Sequence, residues 1–116
     1  MRTLLSANLL AAALTALVMS TASSPVLAVD AEAAQTLAKQ NKCFKCHAID
    51  KKKEAIPWKE VAAKYKGKPD AEAKLTKHVT TGPKVKLDDG TEEEHPMVKT
   101  KNPDEIKNLV NYILGL

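Results

Sequence analysis

Both cysteines of the chain lie within four residues, and a histidine follows the second: Cys43-Phe44-Lys45-Cys46-His47. Cysteines this close can serve a fold in few ways. A disulfide between them closes a tiny loop and removes little entropy from the unfolded chain. A thioredoxin-type redox pair belongs beside a βαβ pattern, and no strand-rich run precedes Cys43. A zinc site needs a second pair of ligands. No further cysteine exists, and His78 and His95 stand 17 residues apart, not the roughly three to five of a zinc half-site.

The reading that uses all three residues is C-x-x-C-H. Its two thiols add across the vinyl groups of a haem to form thioethers, and the adjacent imidazole is thereby held beneath the iron. Cys43 and Cys46 are then the expected attachment points of one covalent haem c, and His47 the expected axial ligand.

The N-terminus supports a compartment suited to that chemistry. The first 28 of the 116 residues hold 18 of the 51 apolar side chains and a single charge, Arg2. A short basic start, an apolar run from Leu9 to Met19 broken only by Thr15, and a small-residue stretch ending Val26-Leu27-Ala28 form the order of a secretory signal peptide. Cleavage is expected after Ala28, with Ser20-Thr21-Ala22 as a weaker alternative. An uncleaved anchor is the competing reading, but Ser6, Asn8 and Thr15 interrupt a stretch shorter than the ~20 apolar residues of a bilayer span. The expected division is therefore 1–28 as signal and 29–116 as one domain.

Removing the signal leaves 88 residues, of which 33 are apolar and 31 charged; ten of the apolar ones are Ala and two are Cys. Only 21 larger apolar side chains remain to offset a backbone entropy of ~1–2 kcal/mol per ordered residue. A chain this short of core needs a disulfide, a metal or a bound group inside it.

Helical patterning accounts for most of the 88. Asp30 to Gln40 is rich in helix formers, with Asp30 as N-cap and Ala33, Ala34 and Leu37 at helical spacing. Pro57 opens a second helix whose Trp58, Val61, Ala62 and Tyr65 follow i, i+3, i+4, i+7 up to Gly67. A third runs from Pro69 or Asp70 to Thr80, with Ala71, Leu75, His78 and Val79 on one side and Gly82-Pro83 as its stop. Asn102-Pro103-Asp104-Glu105 supplies an N-cap, a proline at N1 and a capping-box Glu. Ile106, Leu109, Val110 and Ile113 then form the apolar stripe of the last helix. Between Lys84 and Lys101 helical periodicity is absent. Val85 and Leu87 allow a short extended piece, marginal alone. The expected fold class is all-α, about four helices around a prosthetic group.

A low-spin electron-transfer haem takes a second axial ligand, and a thioether favours the ferrous state. Met97 is the sole Met after residue 28, and Pro96 beside it restricts the backbone. A gap-filling core role is the ordinary use of Met. His95, His78 and an open sixth position are the alternatives for the iron.

Cys43-Phe44-Lys45-Cys46-His47, the segment Pro57-Trp58-Lys59-Glu60-Val61-Ala62-Ala63-Lys64-Tyr65, then Pro96-Met97 and the C-terminal amphipathic helix resemble the small bacterial class I cytochromes c. The likeness spans nearly all of residues 29–116. It implies an all-α bundle with first and last helices crossing near the haem, and one-electron shuttling in the periplasm. It further implies thioether bonds at Cys43 and Cys46, His47 and Met97 as iron ligands, and a Pro57 carbonyl accepting from the His47 imidazole. One segment departs from the family: Lys84 to Glu94 is long and charged where relatives carry a short apolar stretch.

Such a protein has no nucleophile or substrate cleft to supply. Its expected partners are periplasmic or membrane-bound redox proteins acting as donor and acceptor, with the chain itself a monomer. A dedicated subunit of a redox enzyme, and a haem sensor or peroxidase-like protein with an open sixth site, are the alternatives. Nucleic acid is excluded by 17 lysines nearly matched by 14 acids in residues 29–116 and by the compartment. Lys42 and Lys45 flank the attachment site and are expected to steer an acidic partner. Glu92-Glu93-Glu94, just before Met97, would favour the ferric state if close to the iron.

Overall fold

The computed structural model describes residues 28–116. The first 27 residues of the segment read as a signal peptide lie outside the described residues. Four helices form the framework of the rest: α1 (Ala31–Gln40), α2 (Trp58–Tyr65), α3 (Ala71–Thr81) and α4 (Pro103–Leu114).

α4 is the centre of the packing. Its stripe at i, i+3, i+4, i+7 buries Ile106, Leu109, Val110 and Ile113, with Leu109 1% and Val110 0% exposed. All three other helices contact it. α1 meets it through Ala34 and Ala38, both fully buried, beside Leu37; alanines at this crossing let the two helix axes approach closely. α2 contributes Trp58, whose ring stands edge-on to Tyr112 of α4 at 6.4 Å, and α3 contributes Leu75 and Val79.

Polar clamps join the first and last helices. The Asp30 backbone N–H donates to Asn108 Oδ1 and the Asn108 amide donates back to the Asp30 carbonyl, both at 2.8 Å. One turn on, Gln35 Nε2 donates to the Tyr112 hydroxyl at 2.9 Å.

Caps set the helix boundaries. The Asp30 carboxylate accepts from Ala33 N at 2.9 Å, and Asn102 Oδ1 accepts from Asp104 N at 3.0 Å with Pro103 at N1. The capping box expected at α4 is absent. Glu105 instead accepts from the Thr100 hydroxyl, and Thr100 Oγ1 takes the Asn102 N–H at 3.1 Å. The threonine therefore relays the reciprocal bond that the Glu would otherwise make directly.

The charged segment expected as loop forms a small antiparallel hairpin, β1 (Lys84–Lys86) with β2 (Glu92–Glu94). Register places Lys84 opposite Glu94 and Lys86 opposite Glu92, so opposite charges face each other across the strands, worth ~0.2–1 kcal/mol per pair. Its turn is closed by Asp89, whose carboxylate accepts from Thr91 N at 2.9 Å and Thr91 Oγ1 at 2.6 Å, and by Gly90 at φ 86°.

Leu109 is among the most deeply buried side chains of the core, so Leu109→Ala is expected to cost about 3 kcal/mol, read by denaturant titration of the haem-loaded protein. A loss below about 1 kcal/mol would contradict the central place given to α4.

Candidate functional site

α1 ends at Asn41, and the chain reverses through Lys42, a non-glycine residue at φ 58°. A single 3-10 turn, Cys43–Lys45, follows. Cys46 N and His47 N both donate to the Cys43 carbonyl, at 3.3 and 3.0 Å, so one carbonyl gathers the motif into a compact loop. The next residues are sewn to the start of α2 by Ala55 N to Cys46 O (3.0 Å), Trp58 N to Ala48 O (2.9 Å) and Lys59 N to Ile49 O (3.0 Å). Packing completes the support, with the Phe44 and Trp58 rings 5.0 Å apart and the His47 and Trp58 rings 5.9 Å apart.

No disulfide joins the two cysteines. Burial pushes the Cys43 thiol above its ordinary range. Cys46 is raised by burial first, then by the Glu54 carboxylate accepting from its Sγ at 3.5 Å, with a smaller push from the Glu93 charge. A reactive dithiol needs the opposite, a depressed pKa that exposes thiolate, so the environment argues against redox exchange between these sulfurs. Lys52 Nζ, five residues after His47, holds the hairpin turn at 2.9 Å from Asp88 Oδ1.

His47 Nδ1 lies 2.9 Å from the Ile56 carbonyl. A carbonyl only accepts, so Nδ1 carries the proton and the Nε2 lone pair is left free for a metal. The expected acceptor was the Pro57 carbonyl, and the structure moves that role back one residue. Pro57 is the N-cap of α2, its own carbonyl accepting from Glu60 N at 3.0 Å and Val61 N at 3.1 Å. The contribution of Pro57 is indirect: its ring restricts the preceding residue to extended conformations, fixing how Ile56 presents its carbonyl.

Met97 sits on a segment pinned at three points. His95 N donates to Pro83 O and Val98 N to Val79 O, both at 2.8 Å, and Lys99 N donates to Asn41 Oδ1 at 2.7 Å. Asn41, the C-cap of α1, thereby links this segment to the residue two before Cys43. Met97 is 55% exposed, whereas every other large apolar side chain among the described residues except Val29 is at least partly buried. Gly82 backs it: a Cβ there would lie 3.2 Å from His95 O, 3.3 Å from Met97 Cγ and 3.7 Å from Met97 Sδ. The His95 ring stands 6.2 Å from that of His47 and 4.3 Å from that of His78. Burial is the first cause holding both His78 and His95 below the ordinary imidazole range.

The structure thus brings the Cys43–His47 turn and the segment carrying His95 and Met97 together, with the His47 and His95 rings 6.2 Å apart. Nothing in the residue pattern marks Asn41 as a bridge or Ile56 as an acceptor. Gly82 was visible only as a helix stop, though its lack of a Cβ is what leaves room for Met97.

Comparison with known proteins agrees with this layout. The cytochrome c family model matches residues 31–116. Cytochrome c-551 of Pseudomonas denitrificans is 34% identical over 83 residues, covering 71% of this chain and 95% of that protein. Cytochrome c-551 of Pseudomonas aeruginosa is 42% identical over 52 residues, 45% of this chain and half the length of that relative. Among solved structures, the class 1 cytochrome MtoD from Sideroxydans lithotrophicus ES-1 superposes with a TM-score of 0.73 at 56% identity, covering 76% of this chain and 97% of that one. Cytochrome c552 of Nitrosomonas europaea gives 0.54 at 29% identity, covering 69% and 95%.

The chain belongs to the cytochrome c family, in its small class I group. It is accordingly an electron-transfer protein carrying covalently bound haem c, and not an enzyme. The donor set fits that group: two neutral thiols spaced for thioether formation, an imidazole with its outer nitrogen already engaged, and a thioether on a pinned loop.

Gly82→Ala and Gly67→Ala both place a side chain at positive φ, but a Cβ at Gly67 (φ 74°) meets nothing within 4 Å. The difference between them isolates the contact with the Met97 segment. Gly82→Ala is expected to destabilise by about 1 kcal/mol more than Gly67→Ala in denaturant titrations, and equal losses would remove the packing role assigned to Gly82.

Proposed function

We propose that the protein is a diffusible one-electron carrier of the periplasm, exported by cleavage after Ala28. Cys43 and Cys46 hold the haem through thioethers, His47 is the proximal ligand and Met97 the distal one. The observation that carries this reading is the free Nε2 of His47, left by its 2.9 Å bond to Ile56, close to a pinned segment whose thioether side chain is more than half exposed.

A haem held by these residues would supply the one-electron change between ferrous and ferric iron. The chain holds both ligand atoms in place through that change, so little reorganisation opposes the electron. The Ile56 bond keeps the His47 ring in one tautomer and strengthens it as a donor. The soft Met97 sulfur favours the ferrous state. Trp58 packs against the His47 ring, with Phe44 in turn against Trp58. Ferric protein is expected to show the sulfur-to-iron charge-transfer band and Met97→Ala to abolish it, with a lowered midpoint potential; survival of the band would overturn the assignment.

Lys42 and Lys45, both exposed beside the attachment turn, serve to steer an acidic redox partner. Lys42 gives this a second support. It holds φ 58°, where glycine fits without strain, at a cost of about 1 kcal/mol. Lys42→Gly is expected to keep or raise stability by up to ~1 kcal/mol while slowing reaction with the partner by about tenfold at low salt. Raising ionic strength should slow the unmodified protein likewise, and a rate indifferent to both salt and the substitution would dismiss steering.

A further inference from the structure

His95 repeats the arrangement that fits His47 for a metal. Its Nδ1 lies 2.9 Å from the Pro96 carbonyl, as His47 Nδ1 lies 2.9 Å from Ile56 O. In each case the acceptor assigns the proton to Nδ1 and frees Nε2. The two rings stand 6.2 Å apart between centroids. Imidazoles bound to opposite sides of one metal ion by bonds of ~2 Å have ring centres roughly 6 Å apart. Their 52° interplanar angle is no obstacle, because rotation about a metal–nitrogen bond is free.

Resting on the ligation proposed above, we infer that His95 is a reserve distal ligand, taking the iron through Nε2 whenever the Met97 thioether leaves it. The exchange breaks one iron–sulfur bond and forms one iron–nitrogen bond, with no proton or electron lost from the chain. The backbone is suited to it. His95 N is held by Pro83 O and Val98 N by Val79 O, both at 2.8 Å, so the two donors, two residues apart, share one anchored segment and neither needs α3 to move. His78 is the less suited imidazole. Its ring is 4.3 Å from that of His95, and among the described residues no carbonyl accepts from it to fix its tautomer. The consequence is a haem iron that stays six-coordinate and closed to small ligands when sulfur is lost. A nitrogen donor also favours the ferric state, so the exchanged form has the lower potential.

The test uses optical and electron paramagnetic resonance spectroscopy of haem-loaded protein. Unmodified ferric protein should show the sulfur charge-transfer band; its absence would defeat the Met97 reading itself, separately from this one. Met97→Ala should lose the band yet remain low-spin, and its ferrous form should resist carbon monoxide. Adding His95→Ala should convert the iron to high-spin and open it to carbon monoxide, whereas adding His78→Ala should leave it low-spin. High-spin iron in Met97→Ala with His95 intact, or low-spin iron after both His95 and Met97 are replaced, overturns the inference. Met97→Leu, which conserves volume, gives the same reading should Met97→Ala fail to fold.

Discussion

The seam between α1 and α4 is the contact on which the rest of the molecule depends. Fully buried Ala34 and Ala38 meet Leu109 and Val110 there, and the reciprocal Asp30–Asn108 bonds close its outer end. α2 and α3 have no comparable partner of their own and dock on α4. The Cys turn hangs from the last residue of α1, while the Met97 segment enters α4 at its N-terminus. Placing those two helices therefore places both halves of the site. A core of so few large side chains can do this because it is concentrated along one helix rather than spread over the chain.

The parts of the fold that follow periodicity or capping chemistry were readable in the sequence. The stripe of α4, the Asp30 cap and the Gly82 stop depend on neighbours three or four residues away, and all stand where the pattern predicts. The hairpin was missed for a physical reason. Lys-Val-Lys and Glu-Glu-Glu present no apolar face, and their pairing rests on opposite charges six and ten residues apart along the chain, a relation that hydrophobic alternation does not report. The capping box failed because Thr100, outside the motif, competes for the same carboxylate.

The site divides the same way. C-x-x-C-H is local, and its turn forms as a unit around one carbonyl. The acceptor for His47 is not local, and the family resemblance put it one residue late. A proline acts on the residue before it as well as through its own carbonyl, and here the carbonyl of Pro57 is committed to starting α2. Asn41 shows the limit most plainly. An asparagine at a helix end reads as a cap, and it does bond Leu37 O at 2.9 Å, but its other amide atom holds Lys99, 58 residues away.

The three hydrogen bonds that pin residues 95–99 also set how the molecule opens. That stretch contributes a single buried side chain, Val98, so releasing it exposes little apolar surface and leaves every helix standing. The turn carrying His47 is laced to α2 and packed on Trp58, and its release requires disrupting the core. The two sides of one site thus belong to different cooperative units: Met97 and His95 to a flap near the low end of the stability scale, His47 to the part that lets go with the whole fold.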